Sequence, residues 1–135
     1  MNRSFATTLK ENQLVLKRSK TMTLQVNVGL LCNLTCKHCH LHGGPRRKEV
    51  MAKKTMDQVI EFSSKNRFKV ADITGGAPEM VPDLAHLIEG LHPHVEAMMI
   101  RSNLTLLLAE EYGPLLDVLR EKKVAIVASF PSVNE

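Results

Sequence analysis

The sequence has few aromatic residues, few cysteines and no long apolar run. It contains no Trp and one Tyr, so it offers no platform on which nucleic-acid bases could stack. Its formal net charge of +4 is therefore interpreted as a solvated basic face. Apolar runs stay well short of the ~20 residues that span a bilayer. We expect a cytoplasmic protein with neither nucleic acid nor membrane as partner.

The length of 135 residues is that of one domain. Residues 1–20 mix Ser, Thr, Asn and Lys with a short apolar patch, and we interpret them as a leader segment. The domain itself is expected over residues 21–135.

Short apolar runs rich in β-branched residues alternate with helix-period patterns from residue 24 onward. This alternation is typical of βα units on a parallel sheet, which predicts an α/β fold. In βα barrels the loops at the carboxyl ends of the strands build the active site, and each polar or glycine-rich cluster here follows a strand. Strands are predicted over 24–28, 69–74, 95–100 and 124–128, and helices over 55–65, from Pro82 and from Pro114.

All three cysteines lie within eight residues, directly after the first predicted strand. Cys32, Cys36 and Cys39 are separated by three residues and then by two. Three thiolates so close together can bind one inorganic centre, and a four-iron, four-sulfur cube usually takes one cysteine per iron. Three ligands would leave one iron open to a small molecule.

Other interpretations of the cysteines stay open at this point. A zinc site could take His38, His40 or His42 as its fourth ligand, although structural zinc sites normally draw paired ligands from two separated places. A disulfide framework would leave one thiol over. Three buried cysteines are a further alternative, but polar neighbours such as Asn33 and Lys37 argue against a core.

The cysteine spacing resembles the cluster motif of the radical S-adenosylmethionine (radical SAM) enzymes. The resemblance implies an enzyme in which Cys32, Cys36 and Cys39 hold a 4Fe-4S cluster and SAM binds the open iron. It also implies that an external one-electron reductant drives formation of a 5′-deoxyadenosyl radical, which acts on a small-molecule substrate. His38, directly before the last cysteine, stands where the family has a residue near the adenine of SAM. The implied fold is a partial TIM-like (βα) barrel of about four units. The later strands and the C-terminal domain of the family do not fall within these 135 residues; if this is the whole polypeptide, we expect an open sheet edge that an oligomer or a partner chain could cover.

Further cofactor contacts are expected at the ends of the later strands. Gly75 and Gly76 resemble the glycines of the family's GGE segment, whose backbone holds the amino group of SAM. Arg101, Asn103 and Ser129 could bind the carboxylate or a ribose hydroxyl of SAM. Capping of the local backbone is the alternative for each of them. No residue is predicted to be catalytic in its own right.

A narrower resemblance covers nearly all of the chain from about residue 20. It is to the arsenosugar biosynthesis radical SAM proteins, which join the 5′-deoxyadenosyl group to a dimethylated arsenic species. The competing hypothesis is a non-catalytic fragment that binds an iron–sulfur cluster or zinc and pairs with a partner. The segments that carry the narrower resemblance are 24–28, 39–40, 44–45, 72–79, 101–105 and 128–131.

Overall fold

Strands and helices alternate along the chain, as predicted. The computed structural model describes residues 4–17 and 19–129. Helix α1 lies in the predicted leader segment and has no buried residue. Short 3-10 turns also occur later in the chain, at Pro78–Met80, His92–His94 and Glu110–Tyr112. The elements are α1 (Phe5–Glu11), β1 (Thr23–Asn27), α2 (Lys53–Lys65), β2 (Val70–Thr74), α3 (Leu84–Leu91), β3 (Ala97–Ser102), α4 (Gly113–Glu121) and β4 (Ala125–Ala128).

The strands form one parallel, 4-stranded sheet in the order β1-β2-β3-β4. The register pairs Val26 with Ile73 and Ile73 with Ile100, so the strands run side by side. Parallel neighbours need a crossover connection, and α2, α3 and α4 supply it. The predicted α/β class with a parallel sheet is confirmed, and all four strands end on the same edge of the sheet.

The core lies between the sheet and the helices. Side chains alternate across a strand, so Ala71 and Ile73 point to the helix side and are fully buried there. Leu87 and Leu91 of α3 are fully buried against them. Burial of each such aliphatic side chain stabilises the fold by about 1.5–3 kcal/mol. The residues that alternate with these along each strand therefore lie on the other face of the sheet.

Three helices begin at other residues than predicted, and the difference for α4 is one residue, Gly113 instead of Pro114. Helix α2 starts at Lys53 rather than at Thr55, and its N-cap residue Ala52 makes no side-chain capping bond. Helix α3 starts at Leu84 rather than at Pro82, because Asp83 has a left-handed backbone conformation (φ 59°) that cannot continue a helix. Capping residues in a sequence therefore located these helices only to within two residues.

Strand β3 also differs from its predicted bounds of 95–100. It ends at Ser102 because Ser102 still pairs with Ala128 of β4, and the Ser129 N–H donates to the Ser102 carbonyl at 2.8 Å. The apolar pattern stops earlier only because Arg101 faces away from the core. Within residues 4–17 and 19–129, none of the helices has the length and apolar character required to cross a membrane.

Candidate functional site

The loop that follows β1 folds back onto the end of that strand. We call residues 28–51 the cysteine loop. Its two ends are joined by backbone hydrogen bonds, in which the Met51 N–H donates to the Val28 carbonyl at 2.7 Å and the Leu30 N–H donates to the Glu49 carbonyl at 2.8 Å. These bonds close the loop on itself, so the cysteines between them are presented on a fixed backbone.

An exposed ion pair stabilises the last part of the cysteine loop. Arg47 donates from Nε and Nη2 to the Glu49 carboxylate, with a shortest distance of 2.7 Å, and from Nη1 to the His42 carbonyl at 3.1 Å. The Arg47 guanidinium, together with backbone N–H groups, lowers the pKa of Glu49 to about 2. The pair therefore stays ionised at physiological pH, and it connects the backbone of His42 to the last part of the loop.

The two glycines after β2 let the cysteine loop approach closely. The Gly76 N–H donates to the Gly29 carbonyl at 2.9 Å, and the Ala77 N–H donates to the Leu31 carbonyl at 2.8 Å. A Cβ on Gly76 would lie 2.3 Å from the Leu31 oxygen, and one on Gly75 would lie 3.0 Å from the Gly29 oxygen. The absence of side chains is thus required by the docking of the two loops.

A cavity of about 350 Å³ opens where the four strands end. This volume lies within the usual range for small-molecule sites. Cys32 is buried, Cys39 is partly exposed and Cys36 is exposed. Every predicted site residue except Arg101 lines the cavity, and they come from the loops after β1, β2, β3 and β4: Cys32, Cys36, His38, Cys39, Gly75, Gly76, Asn103 and Ser129.

Two of the sulfurs accept backbone hydrogen bonds. The Leu34 N–H donates to Cys32 Sγ and the Gly43 N–H donates to Cys39 Sγ, both at 3.4 Å. Such donors stabilise a thiolate and are a known means of tuning iron–sulfur clusters. The site thus provides a suitable environment for charged cysteine ligands.

The described residues offer no ready-made site for a single metal ion. Among residues 4–17 and 19–129, no three His, Cys, Asp or Glu side chains are grouped as ligands of one ion. A zinc ion needs four ligands about 2.0–2.3 Å away, whereas thiolates on different irons of a cube stand farther apart. All three cysteines nevertheless line one cavity, as the 4Fe-4S cluster that the resemblance implies would require.

Arg101 is paired on the face of the sheet opposite to the core. It donates from Nε and Nη2 to the Asp72 carboxylate at 2.9 and 2.8 Å, and Gln25 Nε2 donates to the same carboxylate at 2.9 Å. Asp72 is nearly buried, while the Arg101 side chain is 45% exposed. Hydrogen bonding from the guanidinium lowers the pKa of Asp72 below its usual range. Arg101 does not line the cavity, and its predicted contact with SAM stays a prediction.

A buried pair supports the end of β3. Ser102 Oγ donates to Glu79 Oε1 at 2.7 Å and accepts the Leu104 N–H at 2.9 Å. Glu79 lies in the turn after the paired glycines, so this contact joins the loop after β2 to the loop after β3. The second oxygen of Glu79 is buried and has no hydrogen-bond partner in the described part of the chain.

Known proteins with similar sequences cover most of this chain. The probable GTP 3′,8-cyclase of Pyrococcus abyssi is 26% identical over 122 residues, which are 83% of this chain and 40% of that protein. The probable GTP 3′,8-cyclase of Pyrococcus horikoshii is likewise 26% identical over 122 residues, 83% of this chain and 39% of that protein. No family model matches the chain.

Solved structures of Streptococcus suis SuiB share the fold. The structure bound to S-adenosylmethionine superposes with a TM-score of 0.67 at 19% sequence identity, over 94% of this chain and 28% of SuiB. The structure bound to the precursor peptide SuiA gives a TM-score of 0.68, also at 19% identity, over 94% of this chain and 27% of SuiB.

These comparisons support the broader resemblance and leave the narrower one without support. The relatives and neighbours agree with the radical SAM superfamily, and the sequence relatives are named as enzymes, as predicted. Neither of the two Pyrococcus relatives is named for arsenic chemistry. The chain spans about 40% of the length of the curated relatives that it matches.

Several residues of the site were missed from sequence. Asn33 and Thr105 hydrogen-bond to Asn103, and Gly43 donates to Cys39. A signal was present for one of them, since Asn103 and Thr105 form an Asn-x-Thr turn in which the asparagine side chain binds the backbone two residues on. Asn33 and Gly43 carry no comparable local signal, because Asn33 meets Asn103 across two loops and Gly43 donates to a sulfur within the cysteine loop through its backbone, whatever its residue type.

Proposed function

We propose that this chain is the N-terminal part of a radical SAM enzyme core domain. Cys32, Cys36 and Cys39 would hold a 4Fe-4S cluster, and the cavity that they line together with the strand ends would bind SAM. When bound, the cluster and SAM would supply reductive cleavage of SAM to methionine and a 5′-deoxyadenosyl radical, with the electron drawn from an external reductant. The protein's share is to bind, orient and exclude water.

One observation carries this proposal. The cysteines after β1 and the polar or glycine residues after β2, β3 and β4 line a single cavity at one edge of a parallel sheet. In βα folds this edge is where active sites are built. Cysteines placed for structure alone would have no reason to share a cavity with the ends of three other strands.

The residues around the cysteines have distinct proposed roles. His38 borders the cavity beside Cys39 and is proposed to contact the adenine of SAM. The backbone of Gly75 and Gly76 is proposed to bind the amino group of SAM. Ser129 is exposed at the end of β4 and is proposed to bind a ribose hydroxyl.

Anaerobic reconstitution with iron and sulfide tests the proposal. We expect about four irons per chain and cleavage of SAM on reduction. Replacement of any cysteine by Ala should abolish iron binding, whereas His40→Ala, an exposed neighbour that does not line the cavity, should leave it intact. A cluster without SAM cleavage would favour the non-catalytic fragment, and binding of zinc but not iron would refute both iron-based interpretations and leave only a zinc-binding fragment.

The substrate proposal rests on the narrower resemblance alone. The segments around Gly75, Arg101 and Ser129 support transfer of the 5′-deoxyadenosyl group to a dimethylated arsenic species. The sequence relatives are named as GTP cyclases and SuiB is bound to a precursor peptide, so GTP and a peptide are the comparison substrates. Mass spectrometry of reactions with dimethylated arsenic(III) should find a 5′-deoxyadenosyl product, and product from GTP alone would contradict this assignment.

A further inference from the structure

Three polar side chains form a closed ring of hydrogen bonds beside Cys32. Asn33 Nδ2 donates to Thr105 Oγ1 at 2.7 Å, and Thr105 Oγ1 donates to Asn103 Oδ1 at 2.6 Å. Asn103 Nδ2 then donates to Asn33 Oδ1 at 3.0 Å and closes the ring. The ring joins the cysteine loop, which holds Asn33, to the loop after β3, which holds the other two.

The ring fixes which end of the Asn103 amide faces the sulfur. Its Oδ1 also accepts the Thr105 N–H at 3.0 Å, so both donors of Thr105 point to the same oxygen. A flipped amide would set its oxygen against Asn33 Oδ1 and leave Thr105 facing N–H groups. The Nδ2 group therefore keeps one hydrogen for Asn33 and turns the other toward Cys32 Sγ, which lies 3.8 Å away.

Among the cysteines of the described residues, Cys32 consequently has the most hydrogen-bond donors to its sulfur, although it is buried. It accepts hydrogen bonds from the Leu34 backbone and from the Asn103 side chain. Hydrogen-bond donors stabilise negative charge on a ligating sulfur, and a reduced cluster carries one more negative charge than an oxidised one. A donor at Cys32 therefore favours the reduced cluster, and its loss lowers the reduction potential.

We propose that Asn103 is a positioning residue for the Cys32 ligand, which it orients and hydrogen-bonds, rather than a residue that contacts SAM. The inference rests on the proposed function, since it needs a cluster on Cys32. All polar atoms of the Asn103 amide are already engaged by Asn33, Thr105 and Cys32, so none is free for a ribose hydroxyl or a carboxylate. Outer contacts of this kind typically change metal affinity about 10- to 100-fold when they are removed.

The test is the reduction potential of the reconstituted 135-residue chain, measured by an EPR-monitored redox titration. Asn103→Leu removes the donor at similar volume and should lower the potential, with at least about a tenfold loss of iron affinity. Thr105→Val keeps the amide but removes one of its anchors, and should lower the potential by less. Thr35→Val makes the same chemical change within the cysteine loop but outside the ring, and should leave the potential unchanged.

The possible outcomes separate this inference from the function on which it rests. If Asn103→Leu and Thr105→Val both keep the wild-type reduction potential, the inference is overturned while the cluster assignment stays intact. The same holds if the potential of Thr35→Val shifts as much as the potentials of those two variants. If Asn103→Leu holds no iron, Thr105→Val decides in the same way. A lowered potential with an unchanged SAM dissociation constant in Thr105→Val supports the positioning role, whereas a tenfold larger dissociation constant with an unchanged potential contradicts it. A wild-type chain that binds no iron defeats the proposed function itself.

Discussion

Replacement of Gly76 by alanine should dislodge the cysteine loop from the end of β2. The added Cβ would lie 2.3 Å from the Leu31 oxygen and 2.8 Å from the Leu30 oxygen. Both neighbours are backbone atoms, so no side chain can rotate away to make room. The loops must separate by roughly 1 Å to restore ordinary van der Waals contact.

The cost follows from the bonds that this separation strains. The N–H groups of Gly76 and Ala77 donate to the cysteine loop at 2.9 and 2.8 Å. Each such bond contributes about 1 kcal/mol, and overpacking at a rigid site costs about 1–3 kcal/mol. We expect Gly76→Ala to lower the free energy of unfolding by about 3 kcal/mol, which is a fall of about 10 °C in Tm for a chain of this size.

Thermal unfolding of the metal-free chain, followed by circular dichroism, measures this effect. Gly113→Ala is the matched control, because a Cβ at Gly113 would meet no atom within 4 Å. That variant should unfold within about 2 °C of wild type. After reconstitution, Gly76→Ala should also hold less iron than Gly113→Ala. Equal Tm values for the two variants would show that the loops are not packed as described.

Two further perturbations test contacts around the site. Asp72→Asn should lower the free energy of unfolding by about 1–2 kcal/mol at pH 7. This figure is reduced for solvent screening, because the partner Arg101 is half exposed. Arg101 lowers the pKa of Asp72, so the extra stability of wild type over Asp72→Asn should be fully present above about pH 4 and should be lost as the pH falls through the pKa of Asp72 in the folded protein. A stability difference that grows as the pH is lowered would contradict this assignment. Ser102→Ala should lower the free energy of unfolding by about 2–3 kcal/mol, because it leaves the Glu79 carboxylate without a partner. Ser64→Ala, at an exposed serine, should lower it by under about 0.5 kcal/mol. Equal urea midpoints for these two serine variants would refute the buried contact.

The sheet and the edge that carries the candidate site were predictable because they depend on periodicity. Buried runs around Val26, Ile73 and Ile100 mark strands, and the polar clusters after them end up at one edge because parallel strands share a direction. The convergence of the cysteines with Asn103 and Ser129 follows from this topology. Local pattern was therefore sufficient to bring distant residues together.

Partners of individual side chains were less predictable. Arg101 and Asp72 are separated by 29 positions, and their pairing depends on the register of β2 with β3, which no local pattern reveals. Gly76 was interpreted as a site for ligand approach, yet the structure also uses it for contact with the backbone of Leu31. The same absence of a side chain suits both purposes, so sequence alone could not separate them.

The proposed function requires three thiolates that hold an iron–sulfur cluster with one corner open to SAM. The EPR spectrum of the reduced, reconstituted chain, recorded before and after addition of SAM, tests this requirement. We expect a 4Fe-4S signal that changes shape when SAM is added. A signal that SAM leaves unchanged, or a chain that takes up zinc and no iron, would contradict it.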